Sequence, residues 1–241
     1  MRNNYKQQLE KYLYKISGSK NAHYIAENFT KYSSRQELTR FIFRRDLFEK
    51  IISSKGSIIE CGVCTGSGLM AWAQLSSIME PMAFNRRIYG FDTFEGFPSI
   101  HDKDNYGSHD HGKNVGDIRD ESYDDLLNCI KIYDSNRFIG DVDKVEIIKG
   151  DFLVTSESFI NDNPHLIISL LYLDFDLYEP TKKALELFLP RMHKGAVIGF
   201  DEINNPNWPG ETLALLEKMN INDYSINKFY YEPHMSYITL N

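Results

Sequence analysis

Short apolar segments alternate with helical patterns from residue 57 onward, and this alternation limits the possible folds more than any other feature of the sequence. Each of five β-rich segments is followed by a stretch with helical periodicity. This rhythm is typical of βαβ units, whose parallel strands form a sheet that helices cover on both faces. The predicted strands are residues 57–61, 87–91, 145–149, 169–173 and 196–200. The predicted helices are residues 69–79, 121–134, 152–161, 180–189 and 209–219.

The last part of the sequence departs from this alternation. Residues 224–231 and 235–240 are two strand-like runs with only Glu232, Pro233 and His234 between them. Two strands this close in sequence must be antiparallel neighbours. We therefore predict an α/β fold whose mostly parallel, Rossmann-like sheet closes on an antiparallel hairpin. This arrangement resembles class I S-adenosylmethionine-dependent methyltransferases, whereas dinucleotide-binding sheets usually end on another parallel strand.

Residues 1–55 carry helical patterns alone. Apolar residues recur there at helical spacing, and Ser33 or Ser34 with Glu37 can form a capping box. The recurring residues are Leu9, Tyr12, Leu13 and Ile16, followed by Leu38, Phe41, Ile42, Arg45 and Phe48. We interpret residues 1–55 as a helical lid or dimerisation extension and residues 56–241 as the methyltransferase-like domain.

Charge and cysteine content limit the partners and the compartment. Lys and Arg total 27 against 34 Asp and Glu, a formal net charge of -7, whereas a protein that binds nucleic-acid backbones needs a basic surface. The three cysteines cannot all pair, so a reducing compartment is the simple interpretation. Neither an apolar run of about 18 residues nor an apolar signal segment is present. We expect a cytoplasmic protein without nucleic-acid or membrane partners.

A glycine-rich stretch over residues 60–68 directly follows the first predicted strand. Glycines let the backbone turn sharply between strand and helix and approach a ligand closely. A carboxylate in this turn would repel a phosphate, but it suits a ligand that carries an ammonium or sulfonium charge. The alternative is a glycine-rich turn without a ligand. The candidate cofactor-binding residues are Glu60, Gly62, Thr65, Gly66 and Gly68.

Acidic residues also follow the second and third predicted strands. Asp92 ends the second apolar run, where a carboxylate can accept hydrogen bonds from both ribose hydroxyls of a nucleoside. Thr93 follows Asp92 and is a further candidate for cofactor binding. Asp151, after the third strand, is placed to contact the edge of an adenine ring. The alternative for each acid is a solvated loop residue.

Further carboxylates follow the fourth and fifth predicted strands. Asp174 and Asp176 end the fourth apolar run, and Asp201 and Glu202 end the fifth. In an open α/β sheet these strand ends converge on one crevice, where ligands bind. Uncompensated carboxylates would repel one another there, and Mg²⁺ is a natural counter-charge. The alternative is a set of separately solvated acids.

At these residues the sequence resembles the macrocin and mycinamicin sugar O-methyltransferases, a family that depends on S-adenosylmethionine and Mg²⁺. The resemblance is carried by D-x-D-x-Y-E-x-T at residues 174–181 and by G-x-V-I-x-x-D-E at residues 195–202. Residues 60–66 and 92–98 are similar to the cofactor motifs of the family. The segments Leu-Tyr-Glu-Pro-Thr and Asn-Trp-Pro-Gly-Glu-Thr look most like members that act on nucleotide-linked 6-deoxyhexoses.

The resemblance implies a function and named roles. A methyl group would move from S-adenosylmethionine to a sugar hydroxyl, in a protein that forms homo-oligomers. Asp174, Asp201 and Glu202 would bind Mg²⁺, although family members often carry a second Asp where this chain has Glu202. Asp174 or Asp176 would accept the proton of the hydroxyl.

The long segment over residues 93–120 has no periodicity and is either a functional loop or a surface loop. Its histidines, His101, His109 and His111, are alternative proton acceptors or solvated residues. Trp208 is placed either to stack on a sugar or to pack on the hairpin. Possible contacts to a diphosphate are Arg35, Arg40, Arg44, Arg45, Arg86, Arg87 and Arg119.

Three other functions compete with this interpretation. The same chemistry can act on an antibiotic glycoside, a polysaccharide sugar or a phenol. A non-catalytic S-adenosylmethionine-binding or scaffold protein would have no use for the acids at the strand ends. A dinucleotide-dependent oxidoreductase is disfavoured by the glycine spacing and by the closing hairpin.

Overall fold

In a computed structural model, the described part of the chain is Lys11, Tyr14, residues 22–105 and residues 113–241. The chain divides into two compact units, Met1–Phe43 and Arg44–Asn241. Several predictions lie outside the described residues, namely the helical pattern at Leu9, Tyr12, Leu13 and Ile16 and the roles of His109 and His111.

The first unit contains helix α1 (Ala22–Glu27), helix α2 (Phe29–Tyr32) and the start of helix α3 (Arg35–Ile51), which continues into the second unit. The backbone N–H of Ser34 donates to the Glu37 carboxylate over 2.6 Å, and the N–H of Glu37 donates to the Ser34 hydroxyl over 3.2 Å. These reciprocal bonds form the predicted capping box.

The second unit alternates strands with helices. Its strands are β1 (Ser57–Cys61), β2 (Ile88–Asp92), β3 (Val145–Lys149), β4 (Ile168–Leu173), β5 (Met192–Phe200), β6 (Asn227–Phe229) and β7 (Glu232–Thr239). Its further helices are α4 (Ser67–Met79), α5 (Tyr123–Asn136), α6 (Phe152–Asp162), α7 (Tyr178–Phe188) and α8 (Gly210–Lys218). Short 3-10 turns occupy Asp102–Asn105, Leu189–Arg191 and Ile221–Asp223. None of the helices in the described ranges is long and apolar enough to cross a membrane.

The strands form one seven-stranded sheet in the order β3-β2-β1-β4-β5-β7-β6. Strands β1 to β5 pair in parallel, and β7 is antiparallel to both β5 and β6. The strand order reverses between β1 and β4, where open α/β sheets bind their ligands. The predicted α/β fold with a closing antiparallel hairpin is therefore confirmed.

The turn of the closing hairpin lies earlier than predicted. Phe229 pairs with Glu232, so the chain reverses at Tyr230 and Tyr231, and the predicted connection over residues 232–234 is wrong. Glu232, Pro233 and His234 interrupt the apolar runs, but they belong to strand β7. The pairing of β6 with β7 is irregular between Asn227 and Phe229, and proline is tolerated in irregular strand pairs.

Aromatic residues pack on both faces of the sheet. On one face the ring of Phe91 lies 5.1 Å from that of Phe152 and 6.0 Å from that of Phe188. On the other face Tyr172 meets Trp72 edge-on, with ring centroids 5.8 Å apart. Side chains alternate between the faces along a strand, so Tyr172 and its neighbours in β4 contact different helices.

The strand register places the predicted site residues in one row. Cys61 in β1 pairs with Phe91 in β2 and with Leu173 in β4, and Leu173 pairs with Phe200 in β5. The residues that directly follow these paired positions in sequence form the next row across the sheet. That row contains Asp92, Gly62, Asp174 and Asp201, in spatial order across the sheet.

Arg86 lies at the opposite, amino ends of the central strands β1 and β4. Its guanidinium is buried and donates to the carbonyl groups of Ile51, Ser54 and Gly56, over 3.1, 2.8 and 2.8 Å. It also pairs with Glu80 over 2.7 Å. A buried charge needs such compensation, so Arg86 fixes the chain between α3 and β1.

Candidate active site

The glycine-rich turn after β1 has a conformation that other residues adopt only with strain. Gly62 has φ +91°, and a Cβ atom there would lie 1.9 Å from the carbonyl oxygen of Asp174. Gly66 has φ +85°, and a Cβ atom would lie 2.5 Å from Leu126. Both glycines are required by the packing of the turn, in addition to any part they have in binding a cofactor.

The carboxylate of this turn is buried and paired. Glu60 is 1% exposed, and its Oε1 lies 3.5 Å from Nη2 of Arg44, which is 7% exposed. A Cβ atom on Gly68 would lie 2.0 Å from Glu60 Oε1 and 2.6 Å from the Arg44 guanidinium. Gly68 therefore leaves the space that this ion pair occupies.

The electrostatic state of Glu60 follows from its surroundings. Burial raises the pKa of Glu60 to about 7, Arg44 lowers it, and Asp92 and Asp201 raise it. Within the described part of the chain, Oε2 of Glu60 has no hydrogen-bond partner. A buried carboxylate with an unused oxygen can pair with a cationic ligand.

Asp92 organises the same turn. Its Oδ2 accepts hydrogen bonds from the backbone N–H groups of Val63 and Cys64, each over 2.8 Å, and its Oδ1 accepts one from Phe94 over 2.7 Å. A carboxylate has about four acceptor positions, so these three bonds leave room for about one of the two ribose hydroxyls in the predicted contact.

Thr93 and Asp151 line a cavity of about 550 Å³. The Thr93 hydroxyl donates to the carbonyl oxygen of Gly96 over 2.7 Å, and Asp151 accepts from Leu153 N–H over 2.9 Å as the cap of α6. The cavity lies beyond the ends of β2 and β3, where the sequence predicted the adenosine part of a cofactor. Thr65 is exposed on the turn after β1.

The carboxylates after β4 and β5 lie close enough to perturb one another. Asp174 is partly accessible but surrounded by protein atoms, and this burial raises the pKa of its carboxyl well above the usual range. The charges of Asp201, Asp176 and Glu211 raise it further, while Arg44 lowers it. The charges of Asp174, Asp176 and Asp201 therefore interact at the ends of β4 and β5, and the part of these acids in the site stays a prediction.

Two partners orient the acids after β5. The buried hydroxyl of Tyr172 donates to Oδ1 of Asp201 over 2.9 Å. The amide of Asn205 donates to Oε2 of Glu202. No three His, Cys, Asp or Glu side chains of the described ranges form a metal-binding group, so the assignment of Asp174, Asp201 and Glu202 as metal ligands stays a prediction.

Sequence reasoning missed Glu211 in the first turn of α8. Its side chain is fully buried, and Oε2 accepts from the backbone N–H of Glu202 over 3.1 Å. Burial, followed by the charges of Asp176 and Asp201, raises the pKa of Glu211 well above its usual range. The motif Asn-Trp-Pro-Gly-Glu-Thr contained this residue, but a single sequence gives no sign that its acid is buried.

The described parts of the 93–120 segment are attached to the start of α7 and to the loop after β5. Asp104 is buried and accepts hydrogen bonds from the N–H groups of Tyr178 and His101, over 2.7 and 2.9 Å. Lys113 donates to the carbonyl oxygen of Asn207 over 2.8 Å and lies 4.4 Å above the ring of Trp208. The ring of Trp208 also lies 6.1 Å from that of Phe97, so Trp208 packs on this segment.

The candidate arginines fall into different classes. Arg44 and Arg86 are buried in ion pairs with Glu60 and Glu80, so neither guanidinium is presented to a diphosphate. Arg45, Arg87 and Arg119 form more exposed ion pairs with acidic side chains.

The strand order, the glycine turn and the acids at the strand ends define a class I S-adenosylmethionine-dependent methyltransferase. The sequence matches the macrocin-O-methyltransferase (TylF) family over residues 20–212. The chain belongs to this family, and the prediction of an S-adenosylmethionine-dependent O-methyltransferase is confirmed.

Solved structures agree with this assignment. The calicheamicin methyltransferase CalS11 has a TM-score of 0.88 and 29% identity, with 97% of this chain and 91% of that chain covered. The apo structure of CalS11, a TDP-rhamnose 3'-O-methyltransferase, gives 0.82 and 27%, with 97% and 93% covered. The O-methyltransferase NovP shares the fold, with a TM-score of 0.65, 19% identity, and 84% and 79% covered. No curated protein matches the sequence.

Proposed function

We propose that this protein methylates a hydroxyl of a nucleotide-linked deoxysugar, with S-adenosylmethionine as the methyl donor. One observation carries the proposal: the strand register aligns Asp174 and Asp201 beside the glycine turn after β1. The acceptor class is supported by the likeness to a TDP-rhamnose 3'-O-methyltransferase along almost the whole of both chains.

The residues at the ends of β4 and β5 fit a hard divalent cation. Neighbouring negative charges, together with burial, raise the pKa of Asp174, and a bound cation would relieve their repulsion. Mg²⁺ commonly takes one or two carboxylates and completes its coordination with water and substrate oxygens. We assign it to Asp174 and Asp201, with Glu202 as a further ligand. When bound, Mg²⁺ supplies the acidity that activates a sugar hydroxyl.

The other residues bind the cofactor and move the proton. Glu60 faces the ammonium or sulfonium charge, Asp92 the ribose and Asp151 the adenine. Asp176, whose charge acts on Asp174 and Glu211, accepts the proton of the hydroxyl as the hydroxyl oxygen attacks the methyl carbon. The bond between that carbon and the sulfonium sulfur breaks, and S-adenosylhomocysteine leaves. Methyl transfer is an in-line displacement, so holding donor and acceptor in alignment supplies much of the rate.

A binding and activity experiment tests this function. Calorimetric titration with S-adenosylhomocysteine should show stoichiometric binding, and TDP-rhamnose should be methylated in the presence of Mg²⁺ but not of EDTA. Binding without turnover on nucleotide sugars would redirect the search to glycosides, polysaccharide sugars or phenols. Absence of binding at saturating ligand would refute the proposal.

The organisation of the whole chain is also a proposal. We propose that residues 1–55 act as a lid or as the interface of a homo-oligomer, and that residues 56–241 carry the methyltransferase site. A cytoplasmic location, without nucleic-acid partners, is part of the same proposal. Light scattering of the full chain and of a chain that lacks residues 1–21 would test the interface.

A further inference from the structure

Arg44 lies between the cofactor turn and the end of β4. Its guanidinium carbon is 5.1 Å from the ring centroid of Tyr172 and 5.7 Å from that of Trp72, and its Nη2 is 3.5 Å from Oε1 of Glu60. A planar guanidinium can stack on an aromatic ring and pair with a carboxylate at the same time. Lysine cannot reproduce both contacts.

Tyr172 connects the pair of Arg44 and Glu60 to Asp201, which the proposed function assigns to the cation and the sugar acceptor. The ring is fully buried, and its hydroxyl donates to Oδ1 of Asp201 over 2.9 Å. The position of the ring therefore sets the orientation of the Asp201 carboxylate. Residues that orient a metal ligand typically change metal affinity about 10- to 100-fold when they are removed.

We propose that Arg44 is a positioning residue for methyl transfer, which pairs with Glu60 beside the cofactor and braces Tyr172, which in turn holds Asp201. The inference rests on the proposed function, because that function assigns Glu60 to the cofactor and Asp201 to the cation. Gly68 supports it independently, since any side chain there would overlap the pair of Arg44 and Glu60.

Arg44 also affects the charge of Glu60. The groups that act on Glu60 are Arg44, which lowers its pKa, and Asp92 and Asp201, which raise it. Loss of Arg44 leaves burial and two acids, so the pKa of Glu60 rises above its present value of about 7. Near neutral pH the carboxyl then binds a proton and no longer attracts the ammonium group of the cofactor.

Three variants test the proposal: Arg44→Met, Arg44→Lys and Tyr172→Phe. In Arg44→Met we expect affinity for S-adenosylhomocysteine to fall about tenfold at neutral pH, and to recover as the pH rises towards about 9. Arg44→Lys should retain most of this affinity because its charge still pairs with Glu60, but it should raise the Mg²⁺ concentration that half-saturates the thermal shift, because it does not brace Tyr172. Tyr172→Phe should retain the affinity but raise about tenfold the Mg²⁺ concentration that half-saturates the thermal shift.

A matched pair elsewhere in the chain gives the control. Arg137 lies 5.6 Å from the ring of Tyr133, whose buried hydroxyl donates to the carbonyl oxygen of Ala73 over 2.6 Å. This pair joins α5 to α4 and orients no acid of the site. Arg137→Met and Tyr133→Phe should lower stability without changing the pH profile of cofactor binding or the Mg²⁺ midpoint.

The outcomes separate this proposal from the function on which it rests. If the wild-type protein binds neither S-adenosylhomocysteine nor Mg²⁺, the function is wrong. If it binds both, but Arg44→Met keeps the wild-type pH profile and Tyr172→Phe keeps the Mg²⁺ midpoint, only the role of Arg44 is wrong. Should Arg44→Met fail to fold, an unchanged Mg²⁺ midpoint in both Arg44→Lys and Tyr172→Phe would still overturn the proposal.

Discussion

At the scale of single residues, acids in one row of the sheet are held in different ways. Asp92 accepts three backbone N–H bonds, which tie together the turns after β1 and β2. Asp174 instead has acidic neighbours that disfavour its charge. The same residue type thus orders the turns after β1 and β2 and, in the proposed function, attracts a cation after β4.

Replacement of Asp201 by Asn tests the acceptor side. The amide keeps the size of the side chain but removes the negative charge, so turnover should fall about 100-fold or more. Affinity for S-adenosylhomocysteine should stay near that of the wild type in calorimetry. Asp223→Asn, at an exposed 3-10 turn, is the control. Full activity of Asp201→Asn in EDTA would exclude the metal mechanism.

At the scale of elements, two glycines with the same backbone conformation differ in their surroundings. Gly62 and Gly195 have φ +91° and +86°, but only a Cβ on Gly62 meets neighbouring backbone, at 1.9 Å from Asp174. Alanine should cost about 1–2 kcal/mol at Gly195, from the left-handed backbone alone. At Gly62 the overlap should add about 1–3 kcal/mol. Urea unfolding measures both, and equal losses would contradict the close approach.

The attachment of the 93–120 segment can be tested through Asp104. Asp104→Ala leaves the N–H groups of Tyr178 and His101 without their acceptor, which should cost about 1–3 kcal/mol. We expect the KM for the sugar acceptor to rise while cofactor affinity stays constant. Asp102→Ala, at an exposed position of the same turn, should change neither. An unchanged KM in Asp104→Ala would show that this segment does not contact the acceptor.

Most of the sheet could be predicted from the sequence because strand periodicity and the acids at strand ends are local signals. The pairing of Arg44 with Glu60 could not, because it depends on how α3 packs against β1. Burial of Glu211 was equally invisible, since a glutamate in the first turn of a helix is usually an exposed, favourable charge. The hairpin turn was misplaced because Glu232, Pro233 and His234 interrupt the apolar runs, although they belong to strand β7.

At the scale of the whole molecule, Arg86 joins segments that are distant in sequence. It bonds to the chain between α3 and β1, to Glu80 after α4, and to the hydroxyl of Ser169 in β4 over 2.6 Å. Removal of one partner of a buried ion pair costs about 3–5 kcal/mol, so Arg86→Met should destabilise the protein by this amount.

The neighbouring Arg87 is a natural control. It forms an ion pair with Glu146 over 3.2 Å at the surface, and exposed pairs contribute up to about 1 kcal/mol. Chemical denaturation should therefore show that Arg86→Met loses several times more free energy of unfolding than Arg87→Met, each relative to the wild type. Similar values would mean that the buried hydrogen bonds of Arg86 are replaced by water.

The row formed by Asp92, Gly62, Asp174 and Asp201 also bears on how such an enzyme evolves. Each position is fixed by the ladder of its strand, not by the loop that follows it. Loops can therefore lengthen, shorten or change sequence without displacing the reacting groups. New acceptor specificities can therefore evolve through sequence changes in the segments beyond the sheet, while unchanged strands preserve the chemistry of methyl transfer.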